Sequence, residues 1–356
     1  MKKNWFDEKI KKFSSIGGYQ KPDLIPNSVK LDSNENYVMP KQFQNDVITS
    51  AKKNSDVREY PLGRIDNLIK VISKFTKVPI SMIGVGNGSD QILDLILSNF
   101  ASKQTKVLTS KPTFGFFEER CKLYSIPLIA IPFSDEMKLN SKDFVTQSKN
   151  ADILYLDSPN NPTGFQFSKI ELQKLIKSFN GLVIIDEAYG EFSEYSLASM
   201  VKNHDNLIVV QTLSKSFGLA GLRLGYFIAN KKFTDAFMNV LQYPYPLSTI
   251  TIESGILALE KSELMKKVVI DIKIERKRII ETLQKYDSFQ VFDSKANFVL
   301  FDAHGSYKRV YSALAEQGIS IRKLGKIGNH KGCLRVTIGT KEMNSKFLLA
   351  IRDLLG

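Results

Sequence analysis

From about residue 80 onward, short apolar runs alternate with stretches whose apolar residues recur every three or four positions. The runs are VLT at 107–109, IAI at 129–131, ILYL at 153–156, LVII at 182–185, LIVV at 207–210 and GYFIA at 225–229. Amphipathic helical patterns at 89–101, 114–124, 168–179 and 231–241 lie between most of them. Near-continuous apolar strands separated by helices predict an α/β architecture, a mostly parallel sheet covered on both faces. Ligands of such sheets sit at the carboxyl ends of the strands. After Pro244 and Pro246 the pattern changes. Residues 248–286 read as one or two long helices. A strand at 298–301, a helix at 306–317, a strand ending at Arg322, a strand at 334–338 and a last helix at 342–355 follow, an α+β unit. The first forty residues read as irregular, an arm that packs on this second unit or reaches a partner chain. The expected division is 1–40, 41–247 and 248–356.

Charge changes this picture little. Fifty Lys and Arg against 37 Asp and Glu give +13. The lysines are scattered, in pairs such as Lys52-Lys53 and Lys266-Lys267, which describes a solvated basic surface and anionic small-molecule ligands rather than nucleic acid. No apolar run reaches the length of a membrane span, and MKKNWFDEKIKKF lacks the apolar core of a secretory signal. Cys121 and Cys333 stand far apart with no metal or redox spacing, and the three histidines have no ligand spacing. These features predict a cytoplasmic protein with free thiols and no metal.

Chemistry concentrates in six motifs. TLSKSFGLAGLR at 212–223 sets Lys215 among small and hydroxylated residues and follows it with Arg223. A lysine used for carbonyl chemistry must be held, partly desolvated and near a fixed charge. An arginine at that distance can fix a phosphate. The pattern suggests a Schiff-base lysine with a phosphate anchor, as in sites for pyridoxal phosphate. GNGSD at 86–90 opens an apolar helix, so its glycines and free N–H groups make an anion cradle; taken alone, Ser89 or Asp90 could simply cap the helix. DSPNNPTG at 157–164 follows a strand, and the amide of Asn161 could point at a ligand. LVIIDEAY places Asp186 at the end of a buried strand, where an acid needs a partner such as a protonated pyridine nitrogen; Tyr189 could bond the ring's phenolate oxygen. The alternatives there are a capping acid or a metal ligand. PTFG at 112–115 offers Phe114 to stack on a flat ring or to join the core. Arg322 and Arg335 suit an anionic substrate group or edge salt bridges.

Together, GNGSD, PTF, SPNNPTG, DEAY, TLSK…GLR and LRVTIG resemble the fold-type I pyridoxal-phosphate enzymes of the aminotransferase class. Gly18-Tyr19, KLDSNEN at 30–36, Glu59-Tyr60-Pro61, PYPLS at 244–248 and Ala296-Asn297-Phe298 make the chain similar to histidinol-phosphate aminotransferases over essentially its whole length. The resemblance implies a large domain with a mostly parallel seven-stranded sheet flanked by helices, plus a smaller α+β domain. It implies Lys215 as Schiff base and proton shuttle and Asp186 as partner of the pyridinium. Asn161 and Tyr189 would bond the phenolate, and Phe114 would stack on the ring. Ser89, Asp90, Thr212, Ser214 and Arg223 would hold the cofactor phosphate. Tyr60 would reach that phosphate from the neighbouring subunit of a homodimer with shared sites. Tyr19, Asn161, Arg322 and Arg335 would line the substrate site for histidinol phosphate and glutamate or 2-oxoglutarate. Threonine-phosphate decarboxylases and aromatic aminotransferases share much of the set. Tyr37 stands where the family usually has proline, and Leu62-Gly-Arg follows Tyr60-Pro61 in place of an acidic continuation.

Overall fold

The computed structural model describes residues 2–16, 18 and 21–355. The chain enters through helix α1 (Lys2–Ile16), strand β1 (Val29–Leu31) and helices α2 (Lys41–Asn54) and α3 (Arg64–Thr76). The alternating region contains β2 (Ile83–Asn87), α4 (Gly88–Phe100), β3 (Val107–Lys111), α5 (Gly115–Tyr124), β4 (Leu128–Pro132) and α6 (Ser141–Gln147). It continues through β5 (Ile153–Asp157), α7 (Lys169–Ser178), β6 (Leu182–Asp186), β7 (Leu207–Thr212), β8 (Leu224–Ile228) and α8 (Lys231–Ala236). The remainder is α9 (Thr249–Glu260), α10 (Ser262–Leu283), β9 (Gln290–Val291), β10 (Phe298–Asp302), α11 (Tyr307–Glu316), β11 (Ile319–Ile327), β12 (His330–Thr337) and α12 (Lys341–Leu355).

The larger sheet has seven strands in the order β2-β8-β7-β6-β5-β3-β4. All neighbours are parallel except β8, which runs against both β7 and β2. Strand alternation feeds two cores. Val183, Ile185 and Val209 pack on one face, and Ile184, Ile208 and Val210 on the other with α4 and α5. That is why β6 and β7 read as unbroken apolar runs. Strand order reverses between β3 and β5, so the loops leaving them part and open a crevice at the carboxyl edge. The smaller sheet, β1-β11-β12-β10-β9, takes its edge strand from the arm: Val29, Lys30 and Leu31 pair in parallel with Ile319, Ser320 and Ile321. Helix α9 lies against α2 and α3.

Three regions depart from the sequence reading. The arm is not irregular throughout, because residues 2–16 form α1 and residues 29–31 form β1. Trp5, Phe6, Ile10 and Phe13 fall within one face at 100° per residue, yet each is about half exposed or more. Arg322 does not end a strand. It sits inside β11, which continues through Lys323, Leu324, Gly325, Lys326 and Ile327 into a hairpin whose bulges and turn use Gly325 and Gly328, both at positive φ. β2 has no apolar signature because glycine is required in it. A Cβ on Gly84 would stand 2.2 Å from the Phe227 ring, and one on Gly86 2.7 Å from Ile92.

Helix α7 starts with a full capping box: Glu171 N–H donates to Ser168 Oγ at 3.3 Å, and Ser168 N–H donates to Glu171 Oε2 at 3.2 Å. The helix buries Leu172, Leu175 and Ile176 against the sheet. Ser168→Ala is expected to lower unfolding stability by about 1 kcal/mol in denaturant titration, leaving kcat unchanged. Among the described residues no helix is long and apolar enough to cross a membrane.

Candidate active site

A cavity of about 310 Å³ opens at the carboxyl edge of the larger sheet, in the crevice between the loops after β3 and β5. Every site residue named above lines it except Tyr60 and Tyr19. Tyr60 is 70% exposed and stacks on Tyr245, with ring centroids 4.3 Å apart. Tyr19 lies outside the described residues.

One end is built for an anion. Asn87 closes β2, and Gly88, at φ +77°, turns the chain so that Ser89 and Asp90 form the first turn of α4. Arg223, itself in the left-handed region, brings its guanidinium over this turn and binds Asp90 Oδ2 at 2.9 Å. The approach is close enough that a Cβ on Gly88 would lie 2.6 Å from Arg223 Nη2, and one on Gly225 2.4 Å from Ser89 N. Thr212 Oγ1 lies 3.0 Å from Ser214 Oγ and accepts from Ser214 N–H at 3.2 Å. A guanidinium, helix-terminal N–H groups and two hydroxyls form the donor set of a phosphate dianion.

At the opposite end, Asp186 closes β6, 3% exposed. Its carboxylate accepts from Ala188 N–H at 3.0 Å and Tyr155 O–H at 3.1 Å. Burial, and then the charge of Asp157 on the neighbouring strand, push its pKa up to about 7. A buried carboxylate so placed is stabilised by a cation entering the cavity. Asp157 is pushed up to about 6, also by burial. It ties two loops together, accepting from Thr113 O–H at 3.0 Å, Asn160 Nδ2 at 2.8 Å and Asn161 N–H at 2.8 Å.

Lys215 enters between these ends from the turn after β7, and its Nζ donates to Ser33 O at 3.3 Å. Tyr189 is buried and packs edge-on against Phe298; burial pushes its phenol up to about 12. Its oxygen accepts from Asn34 Nδ2 at 2.8 Å. Phe114, which opens α5, forms part of the wall. Asn161 Oδ1 accepts from Arg335 Nη1 at 2.5 Å, leaving Nδ2 as the donor of that amide. Arg322 and Arg335 are direct partners across β11 and β12, and both line the cavity. Like charges opposite each other in a sheet repel, and an anion between them reverses the sign.

Sequence reading did not single out Asp157, Tyr155 or the strap Asp32-Ser33-Asn34. Asp157 and Asn34 stand inside quoted motifs, and only their distant partners reveal their contacts. Tyr155 looked like one more apolar strand position.

An anion cradle at one end, a buried acid at the other and an amine between them fit pyridoxal phosphate by the chemistry of the donors alone. The fold is that of the type I pyridoxal-phosphate enzymes. The chain belongs to the class I and II aminotransferase family, whose model matches residues 26–351, and the cofactor of that family is pyridoxal phosphate. It is 34% identical to the histidinol-phosphate aminotransferase of Pyrococcus furiosus over 326 residues, 91% of this chain and 92% of that one. The solved histidinol-phosphate aminotransferase of Clostridium acetobutylicum superposes with a TM-score of 0.82 at 28% identity, covering 91% of this chain and 98% of that one. The L-threonine-O-3-phosphate decarboxylase of Porphyromonas gingivalis shares the fold, with a TM-score of 0.79, 21% identity and coverage of 91% and 98%.

Proposed function

We propose that this protein is a histidinol-phosphate aminotransferase, exchanging an amino group between glutamate and imidazole-acetol phosphate. The observation that carries the substrate class is the Arg322–Arg335 pair across one strand register, both lining the cavity that holds Lys215 and Asp186. Two facing guanidiniums suit a doubly charged group, the phosphate of one substrate or the carboxylates of the other. The resemblance to the curated relatives supports the same reading.

Bound pyridoxal phosphate supplies a cationic ring that draws electron density from the substrate Cα, which makes the Cα proton removable. In this reading Asp186 holds the proton on the ring nitrogen. With pyridoxal phosphate bound, Lys215 Nζ would carry the proton between the substrate Cα and the cofactor's C4′ carbon. Tyr189 O–H and Asn161 Nδ2 would donate to the phenolate oxygen, and Phe114 would cover a ring face. Arg223, Thr212, Ser214 and the N–H groups of Ser89 and Asp90 hold the phosphate. Arg335 and Arg322 would grip the substrate anion with Asn161, and the resemblance assigns Tyr19 to the same substrate site.

A homodimer with shared sites belongs to the proposal. Val57, Tyr60 and Leu62 are 70–75% exposed, and the Tyr60–Tyr245 stack joins them to a second exposed group, Val240 and Tyr243. An apolar patch of this kind suits a partner surface, across which Tyr60 would reach the other phosphate site. Residues 1–40 act as the arm of such a dimer, 41–247 as the cofactor-binding unit and 248–356 as the smaller unit. A cytoplasmic location is consistent with Cys121 and Cys333, both buried, with burial pushing their thiols up to about 12.

A half-reaction screen tests the substrate. Histidinol phosphate and glutamate should each convert the bound cofactor's absorbance to that of its amine form, and faster than phenylalanine or tyrosine does. Carbon dioxide released from threonine phosphate, with no 2-oxoglutarate formed from glutamate, would overturn the reading. Arg335→Ala should raise KM for both substrates by about 10- to 100-fold, the worth of a charge-assisted contact.

A further inference from the structure

We infer that Asn34 is a positioning residue for Tyr189, fixing the direction in which the Tyr189 hydroxyl donates and tying that direction to the smaller sheet. The inference rests on the reading of Tyr189 as a donor to the cofactor's phenolate oxygen.

Three successive strap residues each meet a different site residue. Asp32 O accepts from Arg335 Nη2 at 3.1 Å, and Ser33 O accepts from Lys215 Nζ at 3.3 Å. Asn34 Nδ2 donates to Tyr189 OH at 2.8 Å. The first two contacts use main-chain oxygens, which any residue would supply. Only the third depends on a side chain.

The Asn34 amide has one orientation that satisfies its neighbours. Asn34 is 1% exposed and has φ +57°, a conformation asparagine tolerates better than most residues. Its own N–H donates to Thr337 Oγ1 at 3.0 Å. The Thr337 hydroxyl keeps its proton and gives it to Asn34 Oδ1 at 3.3 Å. Oδ1 is thereby engaged as acceptor, and Nδ2 is turned to Tyr189. Asn297 Nδ2 donates to Asn34 O at 3.1 Å and holds the main chain. Thr337 ends β12 and Asn297 immediately precedes β10, so both anchors belong to the smaller sheet.

A phenol has one proton and can accept through its lone pairs. With Asn34 donating to it, Tyr189 has no acceptor at residue 34 for its own proton, which is left for an acceptor in the cavity. Burial raises the phenol's pKa, and the charge of Arg335, with the Asn34 bond, acts in the opposite sense. Removing Asn34 therefore leaves a phenol whose proton has no preferred direction.

The test is a double-mutant cycle on the cofactor-loaded enzyme, read by the pH midpoint of the bound cofactor's absorbance band and by kcat and KM. Tyr189→Phe should move the midpoint upward. Asn34→Ala should move it the same way, lower kcat about tenfold and leave KM for glutamate within about twofold. In the Tyr189→Phe background, Asn34→Ala should then add nothing to either readout. Additive effects, or an Asn34→Ala midpoint equal to that of the unsubstituted enzyme while Tyr189→Phe is shifted, would sink this inference alone. An unshifted Tyr189→Phe would sink the role of Tyr189 and this inference with it. If Asn34→Ala loses the fold, Asn34→Asp carries the same cycle, because its Oδ1 can keep the Thr337 bond while the donor is gone.

Discussion

Lys215→Ala is expected to lower kcat by about four orders of magnitude or more while the protein still binds pyridoxal phosphate. Among the described residues that line the cavity, Lys215 supplies the only amine. In the proposed mechanism its loss removes both the covalent link and the base that carries the Cα proton. The proposed phosphate cradle is built from α4, Arg223, Thr212 and Ser214 and does not depend on it. Retention of the cofactor with loss of turnover is therefore the signature, visible as a bound absorbance band that no longer resembles a protein-linked Schiff base. Small primary amines added to the solution should restore part of the proton transfer. Substantial turnover by the variant without added amine would remove Lys215 from its assigned role.

Asp186→Asn is expected to cost about 10²- to 10⁴-fold in kcat, since an amide cannot hold a proton on the ring nitrogen by charge. The same variant should have an opposite effect on the protein without cofactor. Asp186 titrates at about 7 in the folded chain, against 3.8 for an ordinary aspartate. Between those values the folded state binds more protons than the unfolded one, so this group makes stability fall as pH rises through that window, after which its contribution stays level. Cofactor-free Asp186→Asn lacks that loss. It should melt at a higher temperature than the unsubstituted apoprotein at pH 8, with the gap closing toward pH 4. An unchanged gap across that range would mean the carboxylate is not strained as its burial implies.

The readable parts of this chain were those in which cause and effect lie close in sequence. β5, β6 and β7 are buried on both faces, so their apolar runs and the acids that end β5 and β6 could be seen directly. Lys215 and Arg223 belong to the one loop between β7 and β8, and Gly88 and Ser89 to the turn that opens α4. β2 was hidden because its fold depends on what packs over it: Gly84 is there to admit Phe227, 143 positions away in the chain. The second half of β11 mixes exposed Lys323 and Lys326 with half-buried Leu324 and buried Ile327 across bulges at Gly325, so periodicity did not mark it. Asn34 could be read as part of a motif but not as a partner of Tyr189, since the two are 155 residues apart. Tyr60 was assigned by resemblance, and within one chain it meets Tyr245 rather than the cavity.

The strap also sets an order of events in time. Asp32 and Asn34 bond to Arg335 and Thr337, each pair 303 residues apart. On the ribosome the strap is made 303 residues before its anchors, so the larger sheet can form while the cavity still lacks a wall. Closing so long a loop is slow relative to local pairing. A nascent chain therefore carries Lys215 uncovered until β12, which holds the anchors, has been translated.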